Sequence, residues 1–413
     1  MTQPGALPRR RTVRTLGFIG PAFVAAVAYV DPGNVAANLQ SGARYGYLLL
    51  WVLLLATAAA ALVQYLSAKL GLVTGASLPE LMRRRLGRRG RIAYWLQAEA
   101  VAMATDLAEV IGGAIALNLL FDLPLLLGGV LAGAVSLGLL LIQGRQRQAT
   151  FERVITGMLL LITVGFVAGL FVAPPSPAGI VSGLVPRFAG SDSVLLASAM
   201  FGATVMPHVV YLHSALTRDR FGATPAGQRR RRLLTVTRID ITASMTVAGG
   251  VNIAMLLLAA VALPGLSGVD TLDGAHGAIS AQLGDGIGVL FAVGLLMSGL
   301  ASTSVGCYAG DVIMRGLTPW SIGLAARRTI TLVPALILLS VGTEPTLLLV
   351  MSQVALSFGL PFVLVPLVRL TADRGLLGAA VNRPLTTVAA WTVTGAIVAL
   401  NVILVAGLAM GGQ

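Results

Sequence analysis

Asp31-Pro32-Gly33-Asn34 interrupts the first long apolar run of the chain, and Met206-Pro207-His208 interrupts the sixth. Proline removes a backbone N–H and glycine tolerates unusual dihedral angles, so both runs are predicted to unwind in mid-helix at Pro32, Gly33 and Pro207. Two interrupted helices at corresponding positions are the best sequence indication of a transporter's binding site. The rest of the sequence determines whether these runs lie in a membrane.

The composition excludes a water-soluble protein. Of the 413 residues, 56% are hydrophobic and 11% are charged, and the mean hydropathy is +0.87. A soluble domain carries about 25% charged residues. The net charge of +13 is therefore interpreted as membrane topology rather than as a nucleic-acid surface. A single cysteine, Cys307, excludes a disulfide framework and a cysteine metal cluster, and three histidines make a zinc enzyme improbable.

Eleven apolar runs are each about long enough to cross a bilayer, which takes about 20 residues. The predicted spans are 15–42, 46–71, 92–119, 122–143, 153–173, 194–216, 239–263, 286–314, 327–343, 345–370 and 385–409. The first span follows an arginine cluster without a small-residue cleavage site, so it is expected to stay attached as a membrane helix.

Charge predicts the orientation of these spans. If the N-terminus is cytoplasmic, all arginines and lysines except Arg44 and Arg187 fall on the cytoplasmic side. We therefore expect a multi-pass protein of the cell membrane, with a cytoplasmic N-terminus and an external C-terminus. The runs Arg83–Arg91 and Arg229–Arg232 are expected to contact lipid headgroups. No obligate protein partner is indicated.

The spans divide into two halves of five, 15–173 and 194–370, followed by an extra helix at 385–409. An odd number of spans per half gives the halves opposite orientations, and the two interrupted spans are the first of each half. The whole chain, 1–413, is expected to form one all-α membrane domain built as an inverted repeat.

The polar groups at the two breaks suggest a metal substrate. The Asp31 carboxylate, the Asn34 amide oxygen and the carbonyls freed near Ala28 are hard ligands, whereas the Met206 thioether is soft. This mixture favours an intermediate ion such as Mn²⁺ or Fe²⁺ over Mg²⁺ or Ca²⁺. The metal is then a substrate, and no resident cofactor is predicted.

Charged residues inside the third and ninth spans are candidates for proton transfer. Asp106 and Glu109 lie three residues apart and share one helix face. Arg327 and Arg328 begin the ninth span, where at least one can pair with them. The arrangement predicts either a proton pathway or a structural salt bridge. His208 exchanges protons near neutral pH and lies two residues from Met206.

At these residues the chain resembles the Nramp family of divalent metal transporters, in its bacterial MntH branch. The resemblance covers DPGN at 31–34, residues 42–75, QAEAVAMATDLAEVIGG at 97–113 and 206–216, and more loosely 302–310 and 352–362. It implies a LeuT-like fold with about eleven transmembrane helices. It also implies proton-coupled uptake of Mn²⁺ and Fe²⁺, often with Cd²⁺, Co²⁺ or Zn²⁺ accepted.

The resemblance also implies roles for individual residues. The implied metal ligands are Asp31, Asn34, Met206, the carbonyls of Ala28 and Ala203, and Gln353 when the site is occluded. The implied proton pathway runs through Asp31, His208, Asp106 and Glu109, then Arg327 and Arg328. Two positions depart from the family pattern: Val209 replaces Asn after His208, and Asp311 replaces Gln in the eighth span.

Three alternatives remain open at this point. A transporter of a small organic solute can use the same inverted repeat, although Asp31 and Met206 argue against it. An intramembrane enzyme would carry a motif such as HExxH or GxSxG, and neither occurs. A channel is disfavoured because two broken helices indicate alternating access.

Overall fold

The computed structural model describes residues 21–143 and 148–411, and every secondary-structure element in these residues is a helix. A 3-10 turn, Gly378–Ala380, lies between the last two α-helices. The α-helices are α1 (Pro21–Ala28), α2 (Pro32–Tyr45), α3 (Leu50–Thr74), α4 (Leu78–Arg85), α5 (Arg88–Phe121), α6 (Leu125–Gln143), α7 (Gln148–Val172), α8 (Pro177–Gly183), α9 (Gly190–Val205), α10 (Pro207–Phe221), α11 (Gln228–Ala262), α12 (Leu272–Leu283), α13 (Asp285–Leu317), α14 (Leu324–Ser340), α15 (Pro345–Thr371), α16 (Arg374–Leu377) and α17 (Pro384–Gly411).

Each of the eleven predicted spans coincides with one helix or with one interrupted pair; positions 15–20 of the first lie outside the described residues. Both interruptions are confirmed, because α1 and α2 form the first span and α9 and α10 form the sixth. With α9 and α10 counted together, eight helices of the described chain are long and apolar enough to cross a membrane. These are α3, α5, α7, α9–α10, α11, α13, α15 and α17.

The short helices α4, α8, α12 and α16 were not predicted. Each has fewer residues than a span requires, so a search for long apolar runs does not detect them. α4 is amphipathic: Leu78 and Leu81 are buried, whereas Arg83–Arg85 are exposed. A capping box between Ser77 and Glu80 begins this helix.

Apolar side chains cover much of the outer surface of the helices. Leu160, Phe171 and Leu385 are 65%, 85% and 80% exposed. Exposure on this scale over many residues is expected where lipid rather than water is the solvent. It supports the membrane assignment made from composition.

Ion pairs between distant connections show that the spans alternate in direction. At one end, Arg44 in the last turn of α2 pairs with Asp192 at the start of α9 (2.7 Å) and with Asp270 before α12 (3.6 Å). These residues follow the first, fifth and seventh spans, so odd-numbered connections meet at one end.

The even-numbered connections meet at the other end, here called the arginine-rich end. Arg218 after the sixth span pairs with Glu80 after the second (2.6 Å). Arg85 after the second span pairs with Asp373 after the tenth (2.7 Å). The even connections therefore share one end of the molecule, as the charge pattern predicts.

Candidate functional site

The first break is held by its own aspartate. Asp31 is the N-cap of α2, and its Oδ1 accepts hydrogen bonds from Asn34 N (2.9 Å) and Asn34 Nδ2 (2.7 Å). Pro32 occupies the first helical position, where a missing N–H has no cost. The motif therefore ends α1 and begins α2 within three residues. It places the side-chain oxygens of Asp31 and Asn34 at the junction.

Proline frees one carbonyl at each break. In an α-helix the carbonyl of residue i accepts from the N–H of residue i+4. That donor is missing for Ala28, because residue 32 is proline, and for Ala203, because residue 207 is proline. The two carbonyls expected from the family resemblance are thus the two that lie four residues before a proline, which has no N–H to donate.

The remaining unwound carbonyls of the first break have side-chain partners. Asn252 Nδ2 on α11 donates to the Tyr29 carbonyl (2.7 Å), and Ser298 Oγ on α13 donates to the Val30 carbonyl (2.5 Å). Backbone outside a helix is tolerated at membrane depth when it is satisfied in this way. Both donors were missed from the sequence, where the only available signal was a polar residue within an apolar span.

The second break is centred on Met206. This residue is fully buried and separates α9 from α10 with φ +21° and ψ 105°. Among the described non-glycine residues only Met206 and Asp122 have positive φ. Such a conformation costs about 1–3 kcal/mol and occurs preferentially at functional sites. It leaves Met206 at the junction of the two half-helices.

The two breaks are in direct contact. Asn34 Nδ2 donates to the Ala203 carbonyl at 3.0 Å, and Thr204 Oγ1 donates to Asn34 Oδ1 at 3.4 Å. Asp31, Asn34 and Ala203 are all fully buried. The structure therefore brings together three of the predicted ligands, which are 169 or more residues apart across the two breaks.

Gln353 on α15 completes this cluster. Its Nε2 donates to Asp31 Oδ2 at 3.0 Å, while its Oε1 has no hydrogen-bond partner among the described residues. A Cβ on Gly33 would overlap the Gln353 side chain, and a Cβ on Gly202 would overlap the Gln353 carbonyl. Glycine at both positions allows α15 to lie against both breaks.

Of the two arginines expected to pair with Asp106 or Glu109, only Arg328 does so in the described residues. Arg328 Nη1 lies 3.5 Å from Asp106 Oδ1, and Arg328 Nε donates to Ser136 Oγ at 3.0 Å. Arg327 Nη2 instead pairs with Glu99 Oε1 at 2.5 Å. Glu99 lies seven residues before Asp106, two turns away on the same helix face. A line of acidic groups on α5 is thus matched by two arginines of α14.

Glu109 and His208 retain unpaired polar atoms. Neither carboxylate oxygen of Glu109 has a hydrogen-bond partner within the described chain, and His208 Nε2 has none either. His208 Nδ1 lies 3.3 Å from Thr105 Oγ1, next to Asp106 in sequence. These residues link the second break to the acidic face of α5. Thr105 was missed, because threonine inside an apolar helix gives no specific signal.

Both departures from the family pattern have a simple structural setting. Asp311 pairs with Arg315 one turn later on α13 at 2.7 Å. Val209 is fully buried on α10, one residue past His208. Neither residue contributes a contact to the cluster around Asp31 in the described structure.

Within residues 21–143 and 148–411, no group of three or more His, Cys, Asp or Glu side chains is arranged to hold a metal ion. The hydrogen-bonded cluster contains one carboxylate, two amides and the Ala203 carbonyl.

Comparison with known proteins agrees with the fold and the motifs. Residues 22–407 match the family described as natural resistance-associated macrophage protein-like, Nramp. The divalent metal cation transporter MntH of Mycobacterium tuberculosis H37Rv is 58% identical over 397 residues, which are 96% of this chain and 93% of that protein. The MntH of Bacillus subtilis 168 is 45% identical over 394 residues, covering 94% and 92%.

Solved structures give the same result at the level of the fold. A manganese transporter from Eremococcus coleocola superimposes with a TM-score of 0.84 at 28% identity, covering 96% of this chain and 87% of that one. MhsT in complex with L-phenylalanine has a TM-score of 0.63 at 14% identity, covering 97% and 100%, which shows a shared LeuT-like fold alone. The chain is a multi-pass membrane protein and belongs to the Nramp family.

Proposed function

We propose that this chain is a proton-coupled secondary transporter that imports divalent transition metals, chiefly Mn²⁺ and Fe²⁺, into the cytoplasm by alternating access. The observation that carries the proposal is the bond from Asn34 Nδ2 to the Ala203 carbonyl beside Asp31. It joins the Asn34 amide, which also donates to the Asp31 carboxylate, to a carbonyl that has lost its helical donor, at the meeting point of two broken helices. The names of the curated relatives and of the manganese transporter support the same class of substrate.

The substrate ion takes the place of the hydrogen bonds within this cluster. Asp31 supplies a carboxylate, and the Asn34 amide presents Oδ1 instead of Nδ2 once the ion is present. Ala203 and Ala28 supply the carbonyls that lack a helical donor because a proline lies four residues further on. Met206 supplies the thioether. A mixed oxygen and sulfur set disfavours Mg²⁺ and Ca²⁺, which prefer oxygen alone. Gln353 reaches the ion from α15 in the occluded state.

Proton movement uses the groups that the metal site leaves unpaired. An ionised carboxylate buried without a partner is costly, so Glu109 suits the role of a group that gains and loses a proton. Asp31 exchanges its proton for the incoming dication. His208 and Asp106 connect the second break to Glu109, and the Asp106–Arg328 and Glu99–Arg327 pairs lead onward to the cytoplasm.

Alternating access requires contacts that close each end in turn. Asp31, Asn34 and Met206 are each fully buried. Arg44 pairs with Asp192 at one end and Arg218 pairs with Glu80 at the arginine-rich end, and in the proposed cycle each pair breaks when its end opens. We place the arginine-rich end in the cytoplasm by the positive-inside rule, with the C-terminus external. Residues 15–173 and 194–370 act as the inverted repeats and 385–409 as an added helix.

The test is uptake by purified protein in liposomes, with Mn²⁺, Fe²⁺, Cd²⁺, Mg²⁺ and Ca²⁺ measured in parallel and the internal pH recorded. We expect Mn²⁺, Fe²⁺ and Cd²⁺ to enter and to acidify the lumen, and Mg²⁺ and Ca²⁺ to be excluded. Uptake of an amino acid without any metal flux would instead identify an organic-solute transporter. Metal uptake without a change of lumenal pH would contradict proton coupling.

A further inference from the structure

A concave arginine cluster at the arginine-rich end lies apart from the transport site. A cavity of about 360 Å³ is lined by Glu80, Arg83, Arg84 and Arg91, and it is here called the arginine cavity. Arg83 and Arg84 are exposed at the C-terminal end of α4, and Arg91 lies in the first turn of α5. We propose that this cavity binds the phosphate headgroup of an anionic phospholipid. The proposal requires this end to face a membrane surface but does not depend on metal transport.

The charge of the cavity is not neutralised by the protein. The carboxylate of Glu80 is already engaged by Arg218 Nη1 (2.6 Å) and by Ser77 N (2.7 Å). Burial alone would raise the pKa of Glu80, but these hydrogen bonds outweigh it and hold the pKa below the ordinary 4.5. No described carboxylate pairs with Arg83, Arg84 or Arg91. Three guanidinium groups therefore face a cavity whose one carboxylate, Glu80, is already paired with Arg218.

The position of the cavity along the membrane normal matches the headgroup layer. Trp95 lies four residues beyond Arg91 on α5, a rise of about 6 Å. Its ring packs edge-to-face against Trp320 at 6.0 Å between centroids. Tryptophan concentrates at the membrane–water interface, so Arg91 lies about one helical turn outside this aromatic level. Leu96 is 54% exposed and faces outward at the same level.

This setting selects a lipid among the possible anions. Guanidinium groups bind phosphate through paired hydrogen bonds, and basic pockets at the cytoplasmic membrane surface take lipid headgroups. A lipid phosphate arrives with acyl chains, which need apolar surface beside the cavity. The exposed Leu96 and Trp320, the latter 53% exposed, supply that surface. Free phosphate would make no use of it.

The cavity is also connected to α10, the second half of the sixth span. Leu78 N on α4 donates to Ser214 Oγ on α10 at 2.9 Å, and Glu80 pairs with Arg218 at the end of the same helix. A lipid bound by α4 and α5 therefore stabilises the contacts between α4 and α10. Because ligands that bind only the folded state stabilise it, anionic lipid is expected to raise the thermal midpoint.

The test measures which lipids surround the tryptophans of the cavity. Trp51→Phe with Trp391→Phe leaves Trp95 and Trp320 as the only tryptophans, which are excited selectively. The full chain is placed in nanodiscs of phosphatidylcholine that contain, at equal mole fraction, phosphatidylglycerol or phosphatidylcholine with brominated acyl chains. We expect brominated phosphatidylglycerol to quench more strongly. Equal quenching by the two lipids would overturn the proposal.

A matched pair of variants separates a site from diffuse charge. Arg83→Gln, Arg84→Gln and Arg91→Gln together should abolish the preference for phosphatidylglycerol, with an affinity loss of about fivefold per arginine. The control variant carries Arg229→Gln, Arg230→Gln and Arg231→Gln, which remove the same charge from the start of α11. This variant should keep the preference for phosphatidylglycerol. Equal losses in the two triple variants would overturn the proposal.

Two further experiments address poor membrane insertion of the triple variant and binding of free phosphate. If the triple variant inserts poorly, Arg91→Gln alone leaves the other arginines of this connection to hold the topology, and it should still weaken the preference. An unchanged preference in that variant would contradict the site. Inorganic phosphate at millimolar concentration should not reduce quenching by brominated phosphatidylglycerol. Displacement by phosphate would assign the cavity to a free anion instead.

Discussion

Asn34 on α2 donates a hydrogen bond to the carbonyl of Ala203 on α9 at 3.0 Å, and this bond joins the two broken helices of the molecule. Residue 207 is proline, so the Ala203 carbonyl has no helical donor of its own. The same Asn34 side-chain amide also donates a hydrogen bond to Asp31 Oδ1. In the proposed site, we therefore expect substrate binding and the relative position of the two half-helices to be linked through the same few atoms.

We expect Asp31→Ala and Asn34→Ala each to abolish most Mn²⁺ uptake in proteoliposomes while the protein remains folded, because each removes a proposed ligand. Asn38→Ala is the matched control. Asn38 is a buried amide one turn further along α2 that donates to Asn252 Oδ1 at 3.2 Å. It should lower stability but leave the KM for Mn²⁺ unchanged. Near-normal uptake by purified Asp31→Ala would contradict the site.

Met206→Ala should change selectivity more than it changes folding. Loss of a thioether bond should weaken Cd²⁺ uptake by about tenfold to a hundredfold, Mn²⁺ less, and should let millimolar Ca²⁺ or Mg²⁺ compete. Met200→Ala removes another buried thioether on α9, which accepts from Ser41 Oγ, and should leave the ion preference intact. Equal losses for Cd²⁺ and Mn²⁺ without new competition would mean that Met206 only packs.

Glu109→Gln and Asp106→Asn are expected to differ in stability. Glu109 has no hydrogen-bond partner among the described residues, so its neutral amide variant should keep the thermal midpoint and lose metal-driven proton entry. Asp106→Asn leaves the buried Arg328 without its carboxylate partner, which costs about 3–5 kcal/mol. The measurement is lumenal pH during Mn²⁺ uptake, beside thermal melting. Intact proton flux in Glu109→Gln would remove Glu109 from the pathway.

Two glycines beside Gln353 give a rescue test. The methyl group of Gly33→Ala would overlap the side chain of Gln353. The methyl group of Gly202→Ala would overlap the backbone carbonyl of Gln353. Both should reduce the amount of folded protein. Adding Gln353→Ala should restore the fold of Gly33→Ala but not of Gly202→Ala, because only the first clash involves a side chain. Rescue of both variants, judged by size-exclusion chromatography, would contradict the close packing of α15.

Glu80 predicts a pH dependence of stability. Its pKa is lowered in the folded protein by the Ser77 and Arg218 hydrogen bonds, which outweigh burial. Such a group adds stability above its unfolded-state pKa, and that stability is lost as pH falls through the lower folded-state pKa. Glu80→Gln should therefore melt below the wild type at pH 7, with the difference shrinking below pH about 4.5. A difference that does not depend on pH would mean that the pair is not ionic.

The sequence predicted the parts of the site that depend on backbone chemistry. Pro32, Gly33 and Pro207 act locally, so both breaks followed directly from their positions. The partner of Arg327 did not follow from the sequence, because the choice between Glu99 and Asp106 depends on how α14 is rotated against α5. That rotation is set by packing between helices far apart in sequence. The donors Asn252 and Ser298 were missed for the same reason.

The most direct test of the metal site is X-ray absorption spectroscopy of Cd²⁺ bound to the purified protein. We predict a shell of oxygen ligands with one sulfur, from Met206, the only soft side chain at the two breaks. The sulfur should disappear in Met206→Ala and remain in Met200→Ala. A shell of oxygen alone in the wild type, or a sulfur that persists in Met206→Ala, would contradict a metal site between the broken helices.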